Sequence, residues 1–168
     1  WQEVNDIQSH MLNFLENHDE QRIASDFFAG NASKAFPAMI VSACMNTNPL
    51  MIYFGQELGE PGMDEEGFSG RDGRTTISDY WSISSIRRWR NNNKFDNRLL
   101  NEEEKNIRRF YVSLLNLCNN EKAIAKGEFF DLMYANQGSW QMNEHKQYAF
   151  FRKYEKELLL IVCNFDEI

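Results

Sequence analysis

The sequence predicts an α/β fold that forms part of a parallel barrel, followed by antiparallel β-strands. Two apolar segments, residues 11–16 and 50–54, each end in polar or charged residues, and a helical segment at 34–46 separates them. A strand, a helix and a second strand within about 40 residues form a βαβ unit, which indicates a parallel sheet. After Gly127 the apolar pattern is typical of strands alone.

The first predicted strand, residues 11–16, is followed directly by Asn17, His18 and Asp19. In a parallel α/β barrel the active site is built from the C-terminal ends of the strands and the loops that follow them. We therefore expect the imidazole of His18 and the carboxylate of Asp19 to face a cleft.

The helix predicted at 34–46 has Pro37 near its start, where a missing N–H does least harm. Asn48 and Pro49 end it, because asparagine tolerates a left-handed cap and proline cannot continue a helix. The second strand is predicted at residues 50–54.

A long irregular loop follows the second strand, and six of the nine glycines fall between Gly55 and Gly73. Loops of this length in compact domains are usually functional or disordered. Its acidic residues could bind calcium through oxygen ligands, but the spacing is not that of an EF-hand, and a solvated loop is the favoured interpretation. The acidic cluster consists of Asp64, Glu65, Glu66 and Asp72.

Two helices are predicted next, a short one at residues 81–90 and a longer one at 102–119. In the longer helix apolar residues recur at the i, i+3, i+4 and i+7 spacing of one buried stripe. Asn101 and Glu104 have the spacing of a capping box. Acidic residues in the first turn are favoured by the helix dipole.

Three strands are predicted after this helix, at residues 129–134, 147–154 and 157–165, and the last two form an antiparallel hairpin. We expect two domains, residues 1–124 from the barrel and residues 125–168 from the β domain. Three strands with apolar side chains exposed on one face make a poor independent sheet, so we expect the chain to be a fragment. The side chains expected on that face are Leu159, Ile161 and Phe165.

Composition excludes several classes of protein. The net charge of −7 makes nucleic acid an unsuitable partner, because phosphate binding requires an excess of lysine and arginine. No apolar run approaches the roughly 20 residues that span a bilayer.

Cys44, Cys118 and Cys163 match no zinc or redox spacing, and we interpret them as free buried thiols.

Two motifs resemble conserved regions of the α-amylase family of glycoside hydrolases. Residues 14–19, Phe-Leu-Glu-Asn-His-Asp, resemble the region at the end of the seventh barrel strand. Residues 49–57 resemble the eighth strand and its exit, with Phe54 where the family often has tyrosine. The glycine-rich residues 67–74 are similar to the loop after that strand in some members. Together the motifs follow the order of the family, and the resemblance implies the C-terminal part of a (β/α)8 TIM barrel followed by the first strands of an antiparallel β-sandwich domain.

The resemblance implies retaining cleavage of α-glucosidic bonds in starch or malto-oligosaccharides. This chemistry requires a nucleophilic carboxylate and an acid/base carboxyl group about 5–5.5 Å apart. The family takes both from the fourth and fifth strands, which would precede residue 1, so we expect the chain alone to be inactive. No cofactor is expected in this chain, although calcium could be present in the intact enzyme.

The resemblance also implies roles for individual residues. Asp19 matches the third family carboxylate, which binds sugar hydroxyls and favours the oxocarbenium-like ring of the transition state. His18 matches the histidine that binds the sugar beside the cleaved bond, and Asn17 belongs to the same substrate-binding motif. Arg22 either reaches the substrate or pairs with Glu20 or Asp26, and pairing is the favoured interpretation.

Other interpretations stay open. Without its flanking motif, the His18–Asp19 pair could be a purely structural hydrogen-bonded pair. Tyr80, Trp81 and Trp89 could stack on glucose rings, although core packing is favoured. The alternatives to hydrolysis are a catalytically silent binding or partner subunit, and a transglycosylase or sugar isomerase of the same family.

Overall fold

The computed structural model of the protein describes residues 5–62, 72–75 and 83–166. The chain divides into two compact units, each made of separate stretches. The first unit comprises Trp1–Asn13, Pro37–Met51 and Ser113–Ile168, and the second comprises Phe14–Phe36 and Ile52–Val112. The domain boundary predicted between residues 124 and 125 stays a prediction.

The described residues form helices of very different lengths and one three-stranded sheet. The helices are α1 (Asn5–Gln8), α2 (Phe36–Cys44), α3 (Ser84–Arg90), α4 (Glu102–Asn120), α5 (Lys122–Lys126) and α6 (Met133–Asn136). The strands are β1 (Glu128–Asp131), β2 (Gln147–Tyr154) and β3 (Glu157–Asn164). Short 3-10 turns occupy Ala32–Ala35, Gln56–Leu58 and Asn91–Asn93.

The sheet of the first unit is antiparallel in the order β1-β2-β3. The β2–β3 hairpin has its predicted position, and Glu155 in its turn adopts a φ of 53°. The strand predicted at 129–134 is wrong in its second half, where α6 begins at Met133. The reason is local: the Asp131 carboxylate accepts a hydrogen bond from the Met133 backbone N–H at 2.8 Å, which turns the chain.

One face of this sheet is buried and is organised by Arg152, which is only 1% exposed. Its guanidinium donates hydrogen bonds to the carbonyl oxygens of Ala123 at 3.1 Å, Ile124 at 2.8 Å and Met45 at 2.9 Å. Two of these carbonyls belong to α5, so one side chain anchors that helix to the sheet. A cation beside helix carbonyl groups is also favoured by the helix dipole.

The opposite face of the sheet is apolar and exposed. The expected exposure of Leu159 and Ile161 is wrong, since both are only partly exposed. Their neighbours on β3 are exposed instead, because side chains alternate between the two faces of a strand. The exposed side chains are Leu158, Leu160 and Val162, at 57%, 58% and 59%. Phe165 is exposed as expected.

The two strands predicted at 11–16 and 50–54 are reduced to a single parallel bridge between Asn13 and Leu50. The Asn13 N–H donates to the Pro49 carbonyl, and the Met51 N–H donates to the Asn13 carbonyl, both at 2.9 Å. The parallel direction agrees with the predicted βαβ order. The ladders are short because parallel strands depend on neighbours on both sides, and the described residues provide no further strand beside either segment.

The helix predicted at 34–46 is shorter than expected, since α2 ends at Cys44 and is preceded by a 3-10 turn. In the first unit, the Asn13 amide donates to the Ser42 carbonyl at 2.9 Å and to the Asn46 side chain at 2.7 Å. These bonds hold the bridge segment against the end of α2.

In the second unit, the predicted capping box at the start of α4 is confirmed. The Asn101 side chain accepts from the Glu104 N–H at 2.8 Å, and the Glu104 carboxylate accepts from the Asn101 N–H at 2.9 Å. Glu104 also pairs with Arg88 of α3, so the same carboxylate joins two helices. The short helix predicted at 81–90 begins later, at Ser84, within the described residues.

Parts of the long loop lie outside the described residues, namely 63–71 and 76–82. These include Asp64, Glu65 and Glu66 of the acidic cluster, and also Tyr80 and Trp81. Asp72 is described, and its carboxylate pairs with Arg74 at 3.3 Å. Across the described stretches no three His, Cys, Asp or Glu side chains are grouped to hold a metal ion.

No helix in the described part of the chain has the length and apolar character needed to cross a membrane.

The capping box should contribute measurably to stability. Replacing Asn101 by alanine leaves the Glu104 N–H without its acceptor, which we expect to cost about 1 kcal/mol of unfolding free energy. Urea unfolding followed by circular dichroism measures the change. Asn119→Ala, at an exposed position near the other end of α4, is the matched control and should change stability by less than about 0.5 kcal/mol. Equal effects of both substitutions would contradict the assignment.

Candidate functional site

A buried ion pair closes the loop that carries the polar motif in the second unit. Arg22 donates from Nε and Nη2 to the Glu16 Oε2 atom at 3.0 and 2.8 Å. The other carboxylate oxygen of Glu16 accepts from the Ile23 N–H at 2.7 Å. Glu16 is 3% exposed and Arg22 is 0% exposed, so neither charge is solvated by water. The pair therefore joins the two ends of the loop formed by residues 17–21.

The structure corrects the predicted partner of Arg22. Pairing was the favoured interpretation, but the partner is Glu16 and not Glu20 or Asp26. Glu20 and Asp26 are exposed, where an ion pair gains little because water screens the charges. Contact between Arg22 and a substrate stays a prediction. Its Nη1 atom is buried without a hydrogen-bond partner among the described residues.

Arg22 also connects this loop to the segment after the predicted second strand. Its guanidinium lies 5.0 Å from the centre of the Tyr53 ring, and its backbone N–H donates to the Gly73 carbonyl at 2.8 Å. The Tyr53 hydroxyl donates to the Thr75 carbonyl at 2.7 Å. The two predicted strand exits thus meet at Arg22 and Tyr53, as expected for neighbouring strands of a barrel.

Asn17 shapes the loop that carries His18 and Asp19. Its side-chain oxygen accepts from the Asp19 N–H at 2.8 Å and from the Glu20 N–H at 3.1 Å. An asparagine that accepts from the second and third following N–H groups turns the chain locally. The predicted role of Asn17 in substrate binding is not tested by this contact.

His18 and Asp19 lie next to each other at the exposed side of the loop. The His18 Nε2 and Asp19 Oδ1 atoms are 3.4 Å apart, and their side chains are 44% and 64% exposed. A carboxylate accepts hydrogen bonds and an imidazole can both donate and accept, so together they can bind neighbouring hydroxyl groups. Their exposure leaves both groups available to a ligand, in contrast to Glu16 and Arg22.

A second group of hydrogen bonds lies at the end of the strand predicted at residues 50–54. The Gln56 side chain accepts from the Tyr53 N–H at 3.0 Å and donates to the Tyr111 hydroxyl at 2.9 Å. Gln56 and Tyr111 are each 3% exposed. Burial raises the pKa of Tyr111 to about 12, and the Glu16 carboxylate acts in the same direction. The arrangement holds Tyr111 in its neutral form.

Sequence reasoning missed Glu16, Gln56 and Tyr111 as parts of this site. A signal for Glu16 existed, because a lone carboxylate inside an apolar segment must be paired once it is buried. Nothing local marks Tyr111, since it lies on the apolar stripe of α4 and its hydroxyl partner comes from 55 residues away.

Trp89 lies in the second unit and is partly exposed. Its ring meets Phe95 edge-on with centroids 5.3 Å apart, and the Arg108 guanidinium lies 5.2 Å from its centre. The choice between core packing, which was favoured, and stacking on a sugar stays a prediction for Trp89.

A cavity of about 290 Å³ lies elsewhere in the second unit, and neither His18 nor Asp19 lines it. Its wall includes Glu60, which is buried and accepts a hydrogen bond from the Ser85 hydroxyl, and the Arg88–Glu104 pair. The cleft expected beside His18 and Asp19 therefore stays a prediction.

Comparison with known proteins matches the chain to one family. The family model described as alpha amylase, catalytic domain, matches residues 1–109. No curated protein matches the chain.

Several solved structures share the fold over nearly the whole chain. One is AmyP in complex with maltose, at 16% identity and a TM-score of 0.62, covering 98% of this chain and 33% of its own. An acarbose-soaked debranching enzyme from Nostoc punctiforme has 20% identity and a TM-score of 0.58, covering 98% and 27%. The isomaltulose synthase from Erwinia rhapontici has 20% identity and a TM-score of 0.53, covering 93% and 34%.

These similarities confirm the predicted fold class, that of the C-terminal part of a (β/α)8 barrel followed by antiparallel strands. At such low identity they carry information on fold alone. The chain spans 33%, 27% and 34% of the length of these three structures.

The Glu16–Arg22 pair should behave as a coupled unit. Arg22→Met leaves a buried carboxylate without its counter-charge, which we expect to cost about 3–5 kcal/mol of unfolding free energy. Glu16→Gln should also destabilise the chain, and the double variant should lose less than the sum of the two single losses. Guanidinium unfolding of all four proteins measures the coupling energy.

Asp19→Asn is the matched control for these variants. Because Asp19 is exposed, removing its charge should change the unfolding free energy by less than about 0.5 kcal/mol. Additive losses in the double variant would show that Glu16 and Arg22 act independently.

The raised pKa of Tyr111 predicts a loss of stability in alkali. The folded-state pKa of about 12 lies above the ordinary value of 10.0. The contribution of neutral Tyr111 to the free energy of unfolding is therefore complete below pH 10 and is lost as the pH rises towards 12. We expect a loss of about 2 kcal/mol across this window. Tyr111→Phe, which cannot ionise, should show a shallower fall when unfolding free energies are compared at pH 9 and pH 11.5. Parallel pH profiles of the two proteins would refute the assignment.

Proposed function

The chain belongs to the alpha-amylase family, and from this premise we propose that it forms part of the active site of a retaining enzyme that cleaves α-glucosidic bonds. The proposed substrates are starch or malto-oligosaccharides. The observation that supports the proposal is the exposed His18–Asp19 pair on a loop whose base is closed by the buried Glu16–Arg22 pair.

Asp19 is proposed as the carboxylate that stabilises the transition state. Cleavage of a glycosidic bond develops positive charge on the sugar ring and its oxygen. Hydrogen bonds from the neighbouring hydroxyls to a fixed anion strengthen as that charge develops. Interactions that are stronger in the transition state than in the bound substrate accelerate the reaction, whereas equal binding of both does not.

His18 is proposed to position the same sugar, because its imidazole can donate to a hydroxyl while Asp19 accepts from another. Asn17 has its side-chain oxygen occupied by two backbone N–H groups, which supports a role in setting the loop shape. Arg22 donates from two of its nitrogens to Glu16 and is fully buried, which supports a positioning role for it.

The two carboxyl groups that react in a retaining mechanism are proposed to come from polypeptide outside these 168 residues. Among the residues described here, Asp19 fits the accessory role, and no contact between its side chain and a second carboxylate is observed. On this proposal the chain of 168 residues alone does not hydrolyse starch.

A second candidate is transfer or isomerisation of glucosyl groups. It is supported by the shared fold with an isomaltulose synthase, which covers 93% of this chain. Such reactions use the same carboxylates and differ in the acceptor that replaces water. A catalytically silent binding subunit is a third candidate, and it predicts substrate binding without turnover.

The role of Asp19 is tested in a polypeptide that contains these 168 residues together with both reacting carboxylates. Asp19→Asn removes the anion while preserving shape, so we expect kcat on maltoheptaose to fall by about 10³-fold or more with little change in the unfolding midpoint. Glu20→Gln, which neutralises the adjacent exposed carboxylate, is the matched control and should leave kcat within about threefold.

Product analysis by chromatography separates the candidates. Hydrolysis yields shorter malto-oligosaccharides and glucose, transfer yields longer or rearranged sugars, and a silent subunit yields neither. Near wild-type turnover in the Asp19→Asn variant would remove Asp19 from the catalytic machinery.

A further inference from the structure

Two cysteines of the first unit lie in contact although they are far apart in the sequence. Cys44 is the last residue of α2 and Cys118 lies in the last turn of α4, 74 positions later, yet their Sγ atoms are 3.9 Å apart. Cys44 is 1% exposed, whereas Cys118 is partly exposed. All three cysteines are free thiols. The sequence predicts three free buried thiols.

The hydrogen bonds around the pair distinguish the two sulfurs. The Cys118 thiol donates to the Ala43 carbonyl at 3.7 Å, and the Cys44 thiol can donate to the Cys118 sulfur. The hydrogen bond from Cys44 lowers the pKa of Cys118, while the hydrogen bond with Cys118 and burial raise the pKa of Cys44. Cys118 is therefore both the more accessible thiol and the one that ionises first, and a thiolate is the reactive form.

We propose that Cys44 and Cys118 form a dithiol that closes to an intrachain disulfide when the protein meets a small disulfide oxidant such as oxidised glutathione. A disulfide bond is about 2.05 Å long, so the two sulfurs must approach by roughly 2 Å for the bond to form. Cys163 is buried, as Cys44 is, but among the described residues its sulfur makes no hydrogen bond with either of the other two, so the 3.9 Å contact favours Cys118 as the partner of Cys44.

The chemistry proceeds in two exchanges. The Cys118 thiolate attacks one sulfur of oxidised glutathione, which forms a mixed disulfide and releases one glutathione thiolate. The Cys44 thiol then loses its proton to solvent, and its sulfur attacks the Cys118 sulfur and expels the second glutathione thiolate. Two protein thiols are oxidised to one disulfide, and one glutathione disulfide is reduced to two glutathione molecules.

The disulfide would join the end of α2 to the end of α4 within the first unit. It closes a loop of 74 positions along the chain, and long closed loops restrict the unfolded chain most. The oxidised protein should therefore unfold at a higher temperature than the reduced protein. Because small disulfide oxidants are abundant in some compartments and scarce in others, the bond makes stability depend on the redox environment.

The test uses the 168-residue chain, folded and reduced, then exposed to excess oxidised glutathione. We expect alkylation and peptide mapping by mass spectrometry to identify a Cys44–Cys118 cross-linked peptide with Cys163 alkylated. The melting temperature should rise by roughly 5–10 °C and return to its starting value after addition of dithiothreitol. Oxidation of the chain unfolded in 6 M guanidinium chloride is the control. Because the Cys44–Cys118 contact is lost there, we expect disulfides between different pairs of the three cysteines.

Single substitutions test which cysteines form the disulfide. Cys163→Ser should retain both the cross-link and the temperature shift, whereas Cys118→Ser should lose both. Cys118→Ala serves the same purpose if the serine variant does not fold. Three alkylated cysteines after oxidation of the folded wild-type chain, or a disulfide that contains Cys163, would overturn the proposal. None of these outcomes depends on the glycosidase function proposed above.

Discussion

The arrangement of the candidate site depends on the buried pair of Glu16 and Arg22. A charge removed from water is very costly unless a partner and hydrogen bonds compensate for it. Glu16 can be buried only because Arg22 and the Ile23 N–H occupy its oxygens, and Arg22 only because Glu16 neutralises it. This mutual requirement brings residues 16 and 22 together, and the loop between them is left to present His18 and Asp19 to solvent.

Each unit has a buried arginine that binds oxygen atoms in its interior. In the second unit Arg22 meets a carboxylate and the Tyr53 ring, and in the first unit Arg152 meets three backbone carbonyls. The planar guanidinium suits both tasks, since it offers five donors in a fixed geometry. Apolar packing alone could not satisfy those oxygens, so these two side chains determine which segments lie together within each unit.

Features that neighbouring residues determine were predicted correctly, whereas features that need a distant partner were not. The capping box of Asn101 and Glu104 and the β2–β3 hairpin were predicted correctly, because neighbouring residues along the chain determine them. The segments at 11–16 and 50–54 were predicted as strands from their apolar character, yet each contributes one bridge residue. A strand also needs a distant partner for its backbone groups, and apolar character alone does not reveal whether that partner is present.

The sequence by itself determined the family, the fold class, the long helix, the hairpin and the motif Asn17-His18-Asp19, since all of these are encoded in local patterns of residues. Only the tertiary structure decided that Arg22 pairs with Glu16, that Tyr111 bonds Gln56 and that Cys44 meets Cys118. The physical reason is the same for the charged, polar and thiol pairs. Burial removes water as the alternative partner, and the remaining partners are those that folding brings within a few ångströms, whatever their separation along the chain.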